Sequence, residues 1–234
     1  MIGKGKSISH GVAALEYDLA KEINGQAVAT EIARHELYGC TGAEMVQEMK
    51  PYHIDFPNVK NNCLRFEVSP SIEESATFTD ADWAELGNDF MQRMGLANHQ
   101  YIIIRHSGTE SKKEQAHLHI LANRVSLSGE LYRDNWIGKK ATETANAIAK
   151  ERNFVQSQDI GKVNKAEIKE AMDGVLKKMQ GFDFTKFKEE LGKRGFKVRE
   201  ARASTGKLNG YYVTARSGTE YKASEIGKGY TLAH

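Results

Sequence analysis

Three histidines near the middle of the chain are spaced for metal binding. His117 and His119 flank Leu118, and on a β-strand this spacing puts both imidazoles on one face while Leu118 points into the core. The preceding β-branched run ends at His106, which an antiparallel pairing sets beside them. A His-x-His pair alone is a weak signal, and the third histidine in facing register strengthens it. Converging neutral imidazoles can hold a divalent ion and leave coordination positions for water and substrate.

The same strand continues to Asn123, which has the parity of His117 and His119. On that face its side chain could orient a ligand or a phosphate group, and the position is equally suited to a turn residue at the end of a strand. Neutral imidazole favours zinc, manganese, cobalt or nickel, and magnesium also fits if phosphate oxygens complete the coordination shell. The identity of the ion stays open.

The elements that must position these residues follow from hydrophobic spacing and capping signals. Apolar residues at steps of three and four, with Thr41 and Thr79 as caps, indicate helices. Strict alternation of apolar and polar residues indicates half-buried strands. The predicted helices cover residues 9–22, 41–49, 79–94, 134–152, 164–179 and 183–193. The predicted strands cover residues 62–69, 101–106, 116–125, 195–200 and 210–214.

This order of elements predicts an α+β fold. An antiparallel sheet carries the His-hydrophobic-His strand, and helices flank the sheet. Of the 234 residues 40% are hydrophobic and 27% charged, and no apolar run approaches the roughly 18 residues that a membrane span requires. The start of the chain, MIGKGKSISH, lacks the apolar stretch of a secretory signal, and two cysteines are too few for a disulfide framework. We therefore expect a cytoplasmic protein with no membrane partner.

Charge is divided unevenly along the chain. The net charge is +2, yet residues 162–234 hold 16 basic and 9 acidic side chains, a balance of +7. Residues 1–161 hold 17 and 22, a balance of −5. A basic region of this kind favours a polyanionic partner such as nucleic acid, although scattered lysines often only solvate a surface.

Several segments resemble the motifs of plasmid and transposon mobilization relaxases, a family of the HUH endonuclease class. The stretch QYIIIRHSGTESKKEQAHLHILANRVSLSGELY resembles their three-histidine motif, and KSISHGVAALEYDLAKE resembles their amino-terminal tyrosine motif. Residues 78–96 resemble the second motif, where a helix ends in Met-Gly-Leu, and GYYVTARSGTEYKASEIGKGYTL resembles the segment that closes the domain. The resemblance covers nearly the whole chain. In its overall style the chain resembles mobilization proteins of Bacteroides-type elements.

The resemblance implies a reaction and a nucleophile. Relaxases nick and rejoin one DNA strand at a transfer origin through a 5′-phosphotyrosine intermediate, and this step initiates conjugative mobilization. Tyr17 stands where the tyrosine motif has its nucleophile, and Tyr38 and Tyr52 are the alternatives. The implied cofactor is a divalent ion on His106, His117 and His119. The implied partners are single-stranded DNA at the origin, accessory mobilization proteins and a type IV coupling protein.

The resemblance also implies a division of the chain into two parts. Residues 1–160 are expected to form the catalytic relaxase core with the tyrosine helix and the three-histidine hairpin. Residues 161–234 are expected to form a basic helical and hairpin region that completes the relaxase domain and contacts DNA. Single strands bind in basic grooves with stacking aromatic side chains. The residues predicted to contact DNA are Asn123, Lys193, Arg194, Arg199 and Lys207.

One departure from the family pattern concerns the residues around the histidines. Relaxases often carry an acidic residue two positions after the first histidine, where this chain has Gly108, and Gln115-Ala116 stands where a His-Pro pair is common. Carboxylates near ligating histidines normally fix the imidazole tautomer. Glu110 and Glu114 are the candidates to supply that carboxylate.

The sequence is also compatible with other functions. A rolling-circle replication initiator or transposase of the same HUH class shares the chemistry, but usually places its tyrosine after the histidine pair, whereas Tyr17 precedes it. A non-enzymatic DNA-binding accessory protein would use the histidines as core residues, and metal content would separate it from the enzymes. A zinc hydrolase of small molecules would need an acidic base next to the ligands, which the sequence lacks.

Overall fold

An antiparallel sheet of five strands carries the three histidines. The computed structural model describes residues 1–108 and 115–232. Every neighbouring pair of strands is antiparallel, so the predicted α+β fold with an antiparallel sheet is confirmed. In spatial order the strands are β1 (Ile2–Ile8), β5 (Cys63–Ser69), β7 (His117–Ser126), β6 (His99–His106) and β4 (Ala29–His35).

Helices cover both faces of this sheet. The main ones are α1 (Gly11–Leu19), α2 (Gly42–Met49), α4 (Asp80–Arg93) and α5 (Ile137–Glu151). Ile120 of β7 belongs to a core with residues of α4 and α5, whereas Leu121 belongs to a second core with residues of α1 and α2. Because side chains alternate along a strand, His117 and His119 share the face of Leu121. The histidines therefore lie on the side of the sheet that α1 covers.

Local capping signals set the helix starts as predicted. Thr41 and Thr79 each accept a hydrogen bond from the backbone three residues on, and the acidic side chain there bonds back to the cap, which completes a capping box. Gly95 follows α4 with φ of +75°, a conformation that costs glycine little. Strand β5 alternates as expected, with Leu64 buried and Arg65 turned to the opposite face.

Two strands of the sheet were absent from the sequence prediction. The edge strand β1 reads IGKGKSI, and its inward positions include Gly3 and Gly5 in place of large apolar residues. A Cβ at Gly3 would lie 2.5 Å from the carbonyl oxygen of Ala141 in α5, so close packing against a helix replaces the usual alternation. The other missed strand is β4, and the first helix runs over Gly11–Leu19, shorter than the predicted residues 9–22.

Contacts divide the chain into Met1–Ser157 and Gln158–His234. The first unit also contains short elements: β2 (Glu22–Ile23), β3 (Gln26–Ala27), a 3-10 helix (Lys50–His53) and α3 (Ile72–Ser75). Within the described residues, no helix has the length and apolar character that crossing a membrane requires.

The second unit has its own core and its own sheet. Its strands β8 (Lys197–Arg202), β9 (Leu208–Thr214) and β10 (Glu220–Lys222) form an antiparallel sheet with β9 in the middle. Ile168, Phe187 and Val213 are among the fully buried residues of its core. Its helices are α6 (Ser157–Leu176), α7 (Phe184–Lys193) and α8 (Ala223–Ile226).

Candidate metal centre

The three histidines form one cluster at the end of the central hairpin. His106 is the last residue of β6 and His117 the first of β7, and the two are directly paired. His119 follows two residues later on the same face. One ring nitrogen from each histidine lies within 4.8 Å of the others, so the three could hold a metal ion together.

Backbone carbonyls orient two of the imidazoles. The Nε2 of His106 donates to the carbonyl oxygen of Asp18 at 2.7 Å, and the Nδ1 of His117 donates to the carbonyl oxygen of Gln115 at 3.0 Å. A carbonyl oxygen only accepts, so each of these nitrogens carries the ring proton. The lone pair is therefore left on Nδ1 of His106 and on Nε2 of His117.

The environment lowers the pKa of two of the imidazoles, those of His106 and His119. Burial lowers the pKa of His106 from its ordinary value. Burial lowers the pKa of His119 to about 2, and repulsion from His106 and His117 when they are protonated and from Arg65 acts in the same direction. A neutral imidazole offers a lone pair without first losing a proton. Three imidazole nitrogen donors fit a divalent ion such as zinc, manganese, cobalt or nickel, and magnesium fits less well unless oxygen ligands join them.

An ion pair that the sequence did not predict lies next to the cluster. Asp18 of α1 is 1% exposed, and its carboxylate accepts two hydrogen bonds from Arg65 of β5, Nε to Oδ2 at 3.0 Å and Nη2 to Oδ1 at 2.5 Å. Arg65 Nη2 also lies 3.2 Å from Nδ1 of His119, and Asp18 Oδ1 lies 3.7 Å from the same nitrogen. The sequence contains one signal for this pair: Asp18 is an acidic residue three positions after Leu15, on the apolar face of the first helix.

Tyr17 lies in α1 directly before Asp18. Its side chain is 56% exposed, so the ring does not serve as a packing residue. The hydroxyl accepts a hydrogen bond from Nζ of Lys21 at 2.6 Å, and the same ammonium lies 4.8 Å from the ring centroid. The next residue along the helix contacts His106 and lies beside His119, which brings α1 to the cluster.

The two alternative tyrosines lie towards the other end of the sheet. Tyr38 follows β4, whose last residue, His35, pairs with Tyr101 of β6, five residues or about 17 Å from His106. Tyr52 adjoins His53, whose Nε2 bonds to Asn123. Asn123 is four residues or about 13 Å beyond His119 along β7.

Asn123 itself corrects one prediction. Its side chain has the expected parity, but it is completely buried. Its amide nitrogen donates to Oε1 of Gln100 at 2.9 Å, and its amide oxygen accepts from the backbone nitrogen of Val125 at 3.0 Å. The 3-10 helix covers this end of the face through His53. The prediction that Asn123 contacts DNA is therefore wrong, and its role is to satisfy buried polar groups.

The residues of the second unit that were predicted to contact DNA differ in whether their charged groups already have partners within the fold. Arg194 donates to the carbonyl oxygens of Ala171 and Gly174, both at 3.2 Å. Its guanidinium therefore makes hydrogen bonds within the fold, and the DNA contact of Arg194 stays a prediction. Of the other three, Lys193 pairs with Glu190, Arg199 pairs with Glu220 and stacks on Tyr212, and Lys207 is exposed in the turn between β8 and β9.

A charged groove adjoins His119 on the same face of the sheet. Its volume is about 200 Å³, and it reaches the edge strand β1. Lys4 is paired with Glu67 at 2.9 Å, whereas Lys6 is exposed and has no ion pair among the described residues. The residues that line the groove are Lys4, Gly5, Lys6, Arg65, Phe66, Glu67 and His119. Glu110 and Glu114, which were predicted to supply a carboxylate, lie outside the described residues.

Comparisons with known proteins identify a matching family and a similar solved structure. The family model described as "Relaxase: MobA/VirD2-like, nuclease domain" matches residues 17–154, more than half of the chain. The matched region begins at Tyr17 and contains all three histidines. No curated protein sequence matches the chain. A metal-bound structure of the conjugative relaxase TrwC in complex with oriT DNA has 11% identity and a TM-score of 0.38, and the alignment covers 88% of this chain and 74% of that one.

Proposed function

The chain belongs to the MobA/VirD2-like relaxase nuclease family, and from that premise we propose that it nicks and rejoins one DNA strand at a transfer origin through a 5′-phosphotyrosine intermediate. In this proposal the reaction initiates conjugative mobilization. The observation that carries the proposal is the cluster of His106, His117 and His119, which the helix bearing Tyr17 contacts through its next residue. Accessory mobilization proteins and a type IV coupling protein belong to the same proposal, and the sequence resemblance is their support.

The histidine cluster is the proposed metal centre. His106 offers Nδ1 and His117 offers Nε2, because hydrogen bonds to backbone carbonyls occupy their other nitrogens. When bound there, a divalent ion would neutralise charge on a phosphodiester and polarise its phosphorus–oxygen bonds. The neutral state of His119 keeps the site open to a cation at ordinary pH.

Tyr17 is the proposed nucleophile. Its hydroxyl oxygen forms a bond to the scissile phosphorus, the bond from phosphorus to the 3′ oxygen breaks, and the tyrosine proton is lost while the 3′ oxygen gains one. A phenolic hydroxyl ordinarily titrates near pH 10, so charge that develops on the oxygen needs stabilisation. The Lys21 ammonium, 2.6 Å from that oxygen, is placed to stabilise it. Attack of a 3′ hydroxyl on the phosphotyrosine reverses the step and rejoins the strand.

The DNA strand is proposed to enter through the groove beside His119. Binding of the DNA phosphates requires positively charged groups. Lys6 is exposed there and has no ion-pair partner in the part of the chain that the structure describes, whereas Glu67 balances the charge of Lys4. Basic residues of the second unit would add contacts that do not depend on base sequence. Of those, Lys193, Arg199 and Lys207 are exposed and stay in the proposal.

The decisive test is formation of a covalent adduct. Purified protein, supplied with a divalent ion, is incubated with single-stranded oligonucleotides that span the element's own transfer origin and with a scrambled oligonucleotide. We expect a protein–DNA adduct that survives denaturing electrophoresis, only with the origin strand, together with a product that ends in a 3′ hydroxyl. Cleavage that leaves both ends free of protein would contradict the phosphotyrosine mechanism.

A further inference from the structure

We propose that the indole ring of Trp136 is a stacking surface for an unpaired base of the bound DNA strand, at the point where that strand passes over the edge of the sheet. The proposal rests on the proposed function and deepens it, because it adds a base contact to the DNA path through the groove beside His119. Trp136 takes no part in the metal centre or in the chemistry proposed above.

The exposure of Trp136 is unusual for its residue type. The chain has two tryptophans, and Trp83 is 2% exposed in the core, whereas Trp136 is 80% exposed. Tryptophan side chains are highly buried on average, because the large ring contributes much apolar contact area. A tryptophan ring that remains in water therefore indicates a surface on which something binds.

The backbone at Trp136 is also unusual. It has φ of +59° and ψ of +26°, in the left-handed region. Bulky residues rarely adopt this conformation, because Cβ crowds the following carbonyl oxygen, and glycine adopts it with much less strain. Strain at a residue whose side chain is not needed for packing is a reason to look for a function there.

The start of α5 lies against the strand that forms the outer side of the DNA groove. Gly5 of β1 lines that groove, and a Cβ at Gly138 would lie 3.4 Å from the Gly5 carbonyl oxygen. Further along α5, the hydroxyl of Thr142 donates to the carbonyl oxygen of Gly3 at 3.0 Å. The helix thus runs opposite to β1. Trp136, two residues before Gly138, therefore lies towards the last residues of that strand.

The position of β1 in the sheet connects the groove to Trp136. This strand is the outermost one on its side of the sheet, and Lys6, which lines the groove, is the residue after Gly5. A DNA strand that leaves the groove over the edge at β1 next meets the start of α5. The exposed ring of Trp136 is then the first aromatic surface available to a base at that edge.

The segment around Trp136 is basic, although the unit that contains it is acidic. Residues 133–140 hold three basic side chains and one acidic side chain, a balance of +2, against −5 for residues 1–161. The acidic residue, Asp134, is already paired within the fold. The three basic side chains are exposed: Arg133, Lys140, and Lys139, which lies 3.8 Å from Glu143. This local charge favours a phosphate backbone as the partner.

A nucleic acid fits this surface better than a second protein. The ring of Trp136 is a single apolar group among charged side chains, whereas protein interfaces place their aromatic residues in a core that is depleted of charge. The neighbouring apolar residue, Ile137, is 8% exposed and belongs to the core. Proteins that bind single strands combine positive charge along the backbone with aromatic rings on which bases stack. Trp136 and the basic residues around it supply both parts.

The test uses two variants at this position. Trp136→Gly removes the ring and also relieves the left-handed backbone, so the variant should fold and should unfold close to the temperature of the parent. Trp136→Tyr keeps an aromatic ring. Tyr38→Ala is the control, because Tyr38 is 76% exposed but has acidic neighbours, Glu36 and Glu48. Fluorescence anisotropy measures affinity for an oligothymidine strand over a salt series, and for a matched strand in which abasic units replace the nucleosides.

We expect Trp136→Gly to weaken oligothymidine binding by roughly 5–150-fold, the range that corresponds to the loss of one stacked base. Trp136→Tyr should retain most of the affinity, and Tyr38→Ala should bind like the parent. The salt slope of Trp136→Gly should not change, because a stacked ring neutralises no phosphate. The abasic strand should bind the parent and Trp136→Gly equally. Oligothymidine should quench the tryptophan fluorescence of the parent but not that of Trp136→Gly, in which only the buried Trp83 remains.

The outcomes that would overturn the proposal are distinguishable from failure of the proposed function. Equal oligothymidine affinity in the parent and Trp136→Gly, while the parent forms the covalent adduct, would reject the stacking role alone. An equal loss of affinity for the abasic strand would show that the ring does not contact a base. Unchanged DNA affinity together with a change of oligomeric state would assign the ring to a contact between two copies of the chain. A parent that binds no single-stranded DNA would reject the stacking role and the proposed function together.

Discussion

His106 and His117 face each other as paired residues of β6 and β7, with ring centroids 5.4 Å apart. Strand β6 therefore ends, and strand β7 begins, at the histidine cluster. The register of one hairpin sets the spacing of two imidazoles, and the period of a strand adds His119 to them. A shift of one residue in that register would move His106 to the opposite face from its partners.

The first prediction concerns metal content. The double variant His117→Ala/His119→Ala removes two of the three imidazoles and should lose the divalent ion, since loss even of groups that only orient a ligand weakens such sites by about 10–100-fold. Metal analysis of purified protein measures this. His10→Ala is the control, because His10 is exposed and makes no side-chain cap bond. Equal metal in parent and double variant would mean that the histidines are ordinary core residues.

The second prediction concerns the nucleophile. Tyr17→Phe keeps the ring and removes the hydroxyl, so the variant should fold, bind metal and bind DNA like the parent, yet give no covalent adduct on a denaturing gel. Tyr38→Phe is the control, because that side chain is 76% exposed and follows the far end of β4. An adduct at the parent rate in Tyr17→Phe would refute the assignment. Peptide mapping would then identify the residue that carries the DNA.

The third prediction concerns the groove beside His119. Lys6→Ala should reduce the slope of log affinity against log salt for single-stranded DNA by roughly 0.7, the value for one lost phosphate contact. Lys4→Ala should change the slope less, because Glu67 balances the charge of Lys4. Fluorescence anisotropy over a salt series measures both slopes. Equal slopes in the parent and Lys6→Ala would exclude the groove as the path of the strand.

The fourth prediction concerns the second unit. Replacement of Lys193, Arg199 and Lys207 by alanine should lower the same salt slope by between roughly 0.7 and 2. Each lost phosphate contact contributes about 0.7, and Glu190 and Glu220 balance part of the charge of Lys193 and Arg199. Arg194 is left unchanged, because its guanidinium binds backbone carbonyls. The charge-matched control replaces Lys50, Lys60 and Lys150, which are exposed in the first unit. If both triple variants lower the slope equally, net charge rather than a defined surface explains the effect.

The fifth prediction separates the two cysteines. Burial raises the pKa of the Cys63 thiol to about 12, whereas Cys40 is exposed. A raised pKa keeps the buried thiol protonated at about pH 8, and a protonated thiol is a poor nucleophile. A disulfide reagent should therefore modify one thiol rapidly in native protein and two in denaturant. In Cys40→Ser the rapid reaction should disappear, and its persistence would contradict the burial of Cys63.

The sequence predicted those parts of the fold whose signals are local. The cap at Thr79 and the alternation of β5 depend on residues within a few positions, and both are confirmed. Strand β1 was missed because Gly3 takes its environment from Ala141, far away in the chain. The family match confirms the resemblance to relaxases. This resemblance was predictable because the motifs that carry it are read directly from the order of residues along the chain.

The candidate site likewise has features that could be predicted from the sequence and features that could not. The facing of His106 and His117 follows from one hairpin and was predictable. The pairing of Asp18 with Arg65 was not, because it joins a helix to a strand 47 residues away and depends on how α1 lies on the sheet. Asn123 has the predicted parity, but a helix outside its strand decides that it is buried.

The central position of β7 determines which part of the site opens first. This strand is paired on both sides, with β5 and β6, so its amide hydrogens exchange with solvent only when the sheet itself separates. Helix α1 has nine residues, and a helix of that length is held by packing rather than by its own hydrogen bonds. Slow exchange in the histidine strands beside faster exchange in the tyrosine helix is the expected pattern. Helix α1, which would carry the covalently bound DNA, could then move away from the sheet and return while the three histidines keep their positions.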